Sequence, residues 1–262
     1  LKQNIVAHLV GMNGMDKINE YKIPHMSEIN ALEHNGINVV STFSGCGGST
    51  LGYKMAGLKV LYANEFIESA QETYRANHKH TYLDTRDIRQ IKPTEILNII
   101  NKKQGELDIL DGSPPCASFS KAGQGSKNWG KVRKYSEKSQ RVDDLFFEYI
   151  RILDGLQPKA FVAENVSAIT NGQAIGYFKN ILQEMKNCGY QVKCGVLNAK
   201  HLGVPQNRER AIFIGIRNDL NKQPVFPTVH KQKYVVKDAI TNLEPIENKN
   251  SYFFSQNTKT YK

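Results

Sequence analysis

Four short apolar runs, each breaking off at glycine or a polar residue, constrain this 262-residue chain more than anything else in it. "INVVSTF" (37–43), "KVLYANE" (59–65), "LDILDG" (107–112) and "KAFVAEN" (159–165) are too continuous for one-sided strands and too short for helices. They read as buried strands of a parallel sheet. Helical patterns lie between and after them: "STLGYKMAG", closed by Gly57, "FIESAQETYRANH", "PTEILNIINKK" with Pro93 near its start, "DLFFEYIRILDGL", and, after the fourth run, "YFKNILQEMKNCG", stopped by Gly189. "TYLDTRDI" (81–88) supplies a further extended segment, and "YQVKCGVLNA" and "RAIFIGI" close the pattern as strands. Strands alternating with helices predict a doubly wound α/β fold, with functional residues at the carboxyl ends of the strands. No internal repeat is visible. Residues 1–36 read as an extension of unknown role, 37–228 as the main domain, and 229–262 as a linker or the start of a further region with one short helix over 236–243.

Composition narrows the class. No apolar run approaches the 18 residues a membrane helix requires, and the N-terminus lacks a signal-peptide pattern. Cys46, Cys116, Cys188 and Cys194 show no disulfide framework and no metal-ligand spacing, so reduced thiols in a cytoplasmic protein are expected, without metal. The net charge of +10 fits a polyanionic partner. Lys121, Lys127, Lys131, Arg133, Lys134, Lys138 and Arg141 crowd one glycine-containing segment with Glu137 as its only acid. That segment is either a solvated loop or one that closes over phosphates.

Four constellations carry chemistry. "FSGCGGSTLG" (43–52) follows a strand and precedes a helix, and its glycines allow close backbone approach to a ligand. Its G-x-G-G spacing departs from the dinucleotide fingerprint, which needs glycine where Thr50 stands. Glu65, ending the next strand, can accept two bonds from a ribose diol. Phe66 suits an adenine face or the core, and Asp87-Ile88 offers an acceptor beside an apolar wall or a surface ion pair. Together they describe a nucleoside site without pyrophosphate handling.

The second constellation, "DGSPPCASFS", sets Cys116 at the end of a stiff Pro114-Pro115 turn. A nucleophile needs a fixed backbone and a reachable sulfur, whereas a packing cysteine does not. Third, Glu164 in "ENV" ends a strand at the same edge. It reads as a half-buried carboxyl among apolar walls, suited to holding a proton for donation, or as a cap or ion pair. Fourth, "VPQNRER" places Gln206, Arg208 and Arg210 at alternate positions, on one face if extended.

In this order, "FSGCGG", "ANE", "RDI", "SPPCASFS", "DLFFEYIR", "AENV" and "LNAKHLGVPQNRER" resemble the signatures of the cytosine-C5 DNA methyltransferases, over roughly residues 37–216. The resemblance implies an S-adenosylmethionine-dependent methyltransferase fold with a mixed, mostly parallel seven-stranded sheet. Phe43, Ser44, Gly45, Cys46, Gly47, Gly48, Glu65, Phe66, Asp87, Ile88, Pro114 and Leu145 would line the cofactor. Cys116 would be the nucleophile, Glu164 would contact N3 and the amino group of a flipped-out cytosine, and Arg210, with Arg208 nearby, would reach its O2. Ser120, Lys121, Lys127, Arg133, Lys134 and Gln206 would meet double-stranded DNA. The implied role is the modification half of a restriction system.

Three positions depart from the family pattern: Ser41 stands where Asp is usual, Arg86 where Gly is usual, and Ala117 where Gln is common. Ser41 implies a lost contact near the cofactor's methionine end. "YVVKDAITNLEP" resembles the lead-in to a target-recognition region, but the family's full closing set does not follow residue 228. The alternative expectation is therefore a truncated or split-enzyme subunit, a cofactor- and DNA-binding module completed by a second polypeptide. Methylation of tRNA by the same chemistry fits less well.

Overall fold

The computed structural model describes residues 21, 24–115, 133–135, 138–140, 145–230 and 233–240. Its elements, in chain order, are α1 (Met26–Asn30), β1 (Asn38–Thr42), α2 (Gly48–Met55), β2 (Lys59–Asn64), α3 (Glu68–Asn77), β3 (Tyr82–Asp84), α4 (Pro93–Ile99) and β4 (Ile109–Gly112). There follow β5 (Arg133–Tyr135), β6 (Lys138–Gln140), α5 (Leu145–Leu156), β7 (Ala160–Val166), α6 (Ile175–Asn187), β8 (Tyr190–Asn198), β9 (Glu209–Arg217) and α7 (Val236–Ile240).

Seven strands form one sheet in the order β3-β2-β1-β4-β7-β9-β8, and β5 and β6 form a separate antiparallel pair. The pairings from β3 through β7 are parallel. β9 runs antiparallel to both its neighbours, β7 and β8. Burial follows this division. In β1 and β4 every residue after the first is buried, whereas β7 alternates buried and half-buried positions. The sheet is therefore mixed and mostly parallel, as a doubly wound domain ending in a reversed strand requires.

Helix α5 supplies the apolar stripe that binds the middle of the sheet: Leu145, Phe146, Tyr149, Ile150, Ile152, Leu153 and Leu156 are all buried. The Tyr149 hydroxyl donates to the Val162 carbonyl at 3.2 Å. A side chain on Gly112 would meet the Tyr149 ring at 2.5 Å, so the glycine that ends β4 makes room for the ring.

Several boundaries differ from the sequence reading. β3 stops at Asp84 instead of running to Ile88, because the Asp84 carboxylate accepts the Arg86 N–H at 3.0 Å and turns the chain. α4 stops at Ile99, and Asn101 takes a left-handed φ of 52°, a conformation asparagine tolerates better than most residues. α1 lies in the stretch read as unpatterned. Its start is capped by Glu28, whose carboxylate accepts the His25 N–H at 2.7 Å. Beyond α1, Asn35 bonds the Gly57 and Ala56 carbonyls, fastening this segment to the end of α2. Among the described residues no helix is long and apolar enough to cross a membrane.

Candidate functional site

The turn after β1 is backbone-driven. Phe43 has a φ of 52°, Gly45 54° and Gly47 90°. The left-handed conformation costs glycine nothing, but it costs a bulky residue such as Phe43 about 1–3 kcal/mol. Strain at the junction between a strand and a glycine turn makes this loop a candidate functional segment. His78 sits beneath it, 3 % exposed, with Nε2 3.0 Å from the Gly47 carbonyl and Nδ1 3.1 Å from Lys54 Nζ. Burial, and then the Lys54 charge, hold the imidazole pKa below its ordinary value. The neutral ring thus donates from Nε2 and accepts at Nδ1.

A Cβ on Gly47 would lie 2.3 Å from the His78 ring. Overpacking and the positive φ together predict that Gly47→Ala lowers stability by about 2–4 kcal/mol. Thermal unfolding should show it as a lower Tm, and an unchanged Tm would mean that ring and turn separate freely.

Glu65 meets this turn from the end of β2. Its carboxylate accepts the Gly45 N–H and the Ile67 N–H, each at 2.7 Å. Two backbone donors fix its orientation and leave lone pairs for a ligand diol. Phe66 follows, half-buried. Asp87 is not at a strand end. It caps a short helical turn over Ile88–Gln90, accepting the Arg89 N–H at 3.0 Å and pairing with the Arg89 guanidinium at 3.0 Å. The surface ion pair weighed from sequence is therefore formed. Ile88 and Leu145 belong to the main core, 2 % and 1 % exposed. Arg151 of α5 fastens the same turn, donating to the Ile88 carbonyl at 2.8 Å and the Ile91 carbonyl at 3.0 Å.

The departures at 86 and 41 are accommodated locally. The Arg86 guanidinium forks onto Asp84 at 2.7 Å. Ser41 donates at 2.9 Å to the Asp111 carboxylate on the neighbouring strand. Asp111 also accepts from Ser49 Oγ at 2.8 Å and the Tyr53 hydroxyl at 3.1 Å. Burial pushes its carboxyl pKa up, an effect the three hydroxyls oppose and the Glu164 charge adds to.

Beyond β4, Pro114 is buried, and its carbonyl accepts from Asn165 Nδ2 at 3.1 Å. The Asn165 carbonyl oxygen in turn accepts the Val166 N–H at 2.9 Å. Asn165 thus holds the backbone at Pro114, two residues before Cys116 in sequence. Its neighbour Glu164 is half-buried and forms the ion pair that the sequence reading weighed beside a proton-holding carboxyl. Arg210 of β9 pairs with it, Nε to Oε1, at 2.6 Å. β9 begins only at Glu209, so the one-face alternation does not extend to Gln206. The Gln206 N–H instead closes a tight turn onto the Val204 carbonyl at 2.8 Å, across Pro205, whose fixed φ suits it. Gln206 and Arg208 are exposed, and Arg210 is half-buried.

Along the carboxyl edge of the parallel strands lie four sets of contacts: Glu65 with Gly45, Asp111 with Ser41 and through it Ser44, Asn165 with Pro114, and Glu164 with Arg210. Cys116, Ser120, Lys121 and Lys127 lie outside the described residues, as does Ala117. Arg133 and Lys134 are described in backbone only, as part of β5.

The model of the family "C-5 cytosine-specific DNA methylase" matches residues 37–262. The chain belongs to that family. Among its curated relatives, type II methyltransferase M.NgoPII of Neisseria gonorrhoeae is 39 % identical over 80 % of this chain and 58 % of its own length. Type II methyltransferase M.FnuDI of Fusobacterium nucleatum is 36 % identical over 79 % of this chain and 56 % of its own. The chain thus spans a little over half the length of the curated relatives it matches. In structure it is similar to a candidate DNA modification methyltransferase encoded within an E. coli prophage, with a TM-score of 0.67 at 26 % identity over 80 % of this chain and 56 % of that one. Spodoptera frugiperda DNMT2, at 23 % identity and a TM-score of 0.56 over 76 % of this chain and 56 % of its own, shares the fold.

Asp111, Asn165, His78 and Arg151 were not singled out by sequence reasoning. An acid closing an apolar strand at 111 and an asparagine within "ENV" are visible signals, but nothing local marks His78, whose meaning arises only where it meets Gly47.

Proposed function

We propose that the protein containing this chain methylates carbon 5 of cytosine in double-stranded DNA, as the modification half of a restriction system acting in the cytoplasm. The observation that carries the reading is the Glu164–Arg210 pair at the carboxyl edge, next to Asn165, whose bond to Pro114 holds the backbone two residues before Cys116 in sequence. The two named curated relatives support the restriction-system role.

The residues of the turn fit S-adenosylmethionine. The Gly45–Gly48 backbone gives close approach, Glu65 has a pre-oriented carboxylate for a ribose diol, and Phe66 and Asp87 would flank an adenine. When bound, the cofactor supplies an electrophilic methyl group. The chain's own residues do the remainder. The Cys116 thiolate adds to carbon 6 of an extruded cytosine, which turns the ring into an enamine with a nucleophilic C5. Glu164 bonds N3 and the exocyclic amine, stabilising the added electron density, while Arg210 holds O2. Once C5 carries the methyl group, its proton passes to a solvent base, the C5–C6 double bond re-forms, and the C6–S bond breaks to release the Cys116 thiolate. Extrusion of the base costs a few kcal/mol, roughly, which phosphate contacts from the basic segment 121–141 offset.

Recognition of the DNA sequence would come from outside residues 37–228, from a region that includes 229–262 or from a second polypeptide. The test incubates the purified protein with tritium-labelled S-adenosylmethionine and duplex DNA, with and without the product of the adjacent gene. Label recovered as 5-methyldeoxycytidine after digestion is expected. Label on an exocyclic nitrogen, or transfer to tRNA alone, would overturn the reading.

A further inference from the structure

Asp111 is 6 % exposed, and its carboxylate faces three hydroxyl donors from two other elements. Ser41 reaches it from β1, where the two residues pair in register across parallel strands. Ser49 and Tyr53 reach it from consecutive turns of α2, at positions four apart and hence on one face. Ser44, inside the glycine turn, joins the cluster through its hydroxyl, 3.1 Å from both the oxygen of the Ser41 side chain and its carbonyl. The Thr42 hydroxyl donates to the Asp111 main-chain carbonyl at 3.2 Å.

Holding a helix on a sheet does not need such a cluster. Apolar side chains do it without desolvating a charge, and replacing buried ionic groups by apolar ones is often neutral or stabilising. Three directed bonds do something apolar packing does not: they fix the rotation and height of α2, and so of the turn that starts it, relative to β4. Three residues beyond Asp111, the Pro114 carbonyl is held by Asn165.

We infer that Asp111 is a positioning residue that locks the Gly45–Gly48 turn to the strand leading into Cys116, so that methyl donor and nucleophile share one anchor. This inference rests on the function proposed above and adds to it a residue with no contact to the substrate base.

The experiment compares the parent protein with Asp111→Asn and with the exchange variant Ser41→Asp/Asp111→Ser, which moves the carboxylate across the in-register pair. Affinity for S-adenosylmethionine is measured by equilibrium binding on the folded fraction, with KM for donor and for DNA taken separately. In Asp111→Asn an amide N–H₂ confronts a hydroxyl donor, and donor affinity should fall about tenfold or more. KM for DNA should stay unchanged. The exchange variant should recover donor affinity to within about threefold of the parent. Asp111→Asn binding donor as tightly as the parent, with only Tm reduced, would overturn the inference and leave the proposed function standing. Should Asp111→Asn not fold, the exchange variant decides alone: folding restored without donor binding counts against the inference. A parent protein that binds no donor takes the proposed function down, and this inference with it.

Discussion

Cys116→Ser is expected to abolish methyl transfer to DNA while leaving S-adenosylmethionine binding nearly unchanged. A hydroxyl replaces the thiol at similar size but stays protonated at neutral pH and is a far weaker nucleophile than a thiolate. Removal of a covalent nucleophile typically costs on the order of 10⁴-fold or more in rate. The expectation rests on the position of the sulfur after two prolines and on the hold that Asn165 has on Pro114, 3.1 Å from its carbonyl. Equilibrium donor binding and a single-turnover transfer assay on one preparation check both halves. Undiminished transfer by the serine variant would exclude Cys116 as the nucleophile.

Glu164→Gln should slow the chemical step by about 10²–10⁴-fold, the range general acid–base groups supply. The amide keeps the shape of the side chain and one acceptor but cannot give up a proton to N3. It also dissolves the 2.6 Å pair with Arg210. That pair is partly solvated, so its loss should cost no more than about 1 kcal/mol of stability. Rapid-quench mixing of preformed enzyme–DNA complex with donor separates the two effects. Equal single-turnover rates for the variant and the parent would remove Glu164 from the chemistry.

What could be read from the sequence was what short-range chemistry determines. Gly57 and Gly189 were legible as helix stops because φ values of 74° and 93° suit almost no other residue. β1, β2, β4 and β7 were legible because strands covered on both faces, or nearly so, must be apolar along their length. The glycine turn, Glu65 and Glu164 followed from strand ends alone. The missed features are long-range. Ser49 and Tyr53 lie 62 and 58 residues from Asp111, and no local pattern announces their meeting. The Glu164–Arg210 pair required knowing that β9 lies beside β7 and runs against it. Asp87 was placed at a strand end because "TYLDTRDI" reads as continuous. Only the Asp84 side chain, bonding its own backbone two residues on, shows where extension stops.

The reversed course of β9 has one more consequence. Arg210 arrives at the carboxyl edge because its strand enters the sheet there, through the ten-residue connection 199–208 from β8, rather than leaving the sheet there as the parallel strands do. Side chains in a strand switch sides at every residue. A single-residue insertion in that connection, if absorbed by sliding β9 one step, would present Ala211 or Glu209 to Glu164's side of the sheet in place of the guanidinium. The hairpin's length is thus a ruler for the active edge, and natural or engineered changes to it should be tolerated only where strand pairing keeps its phase.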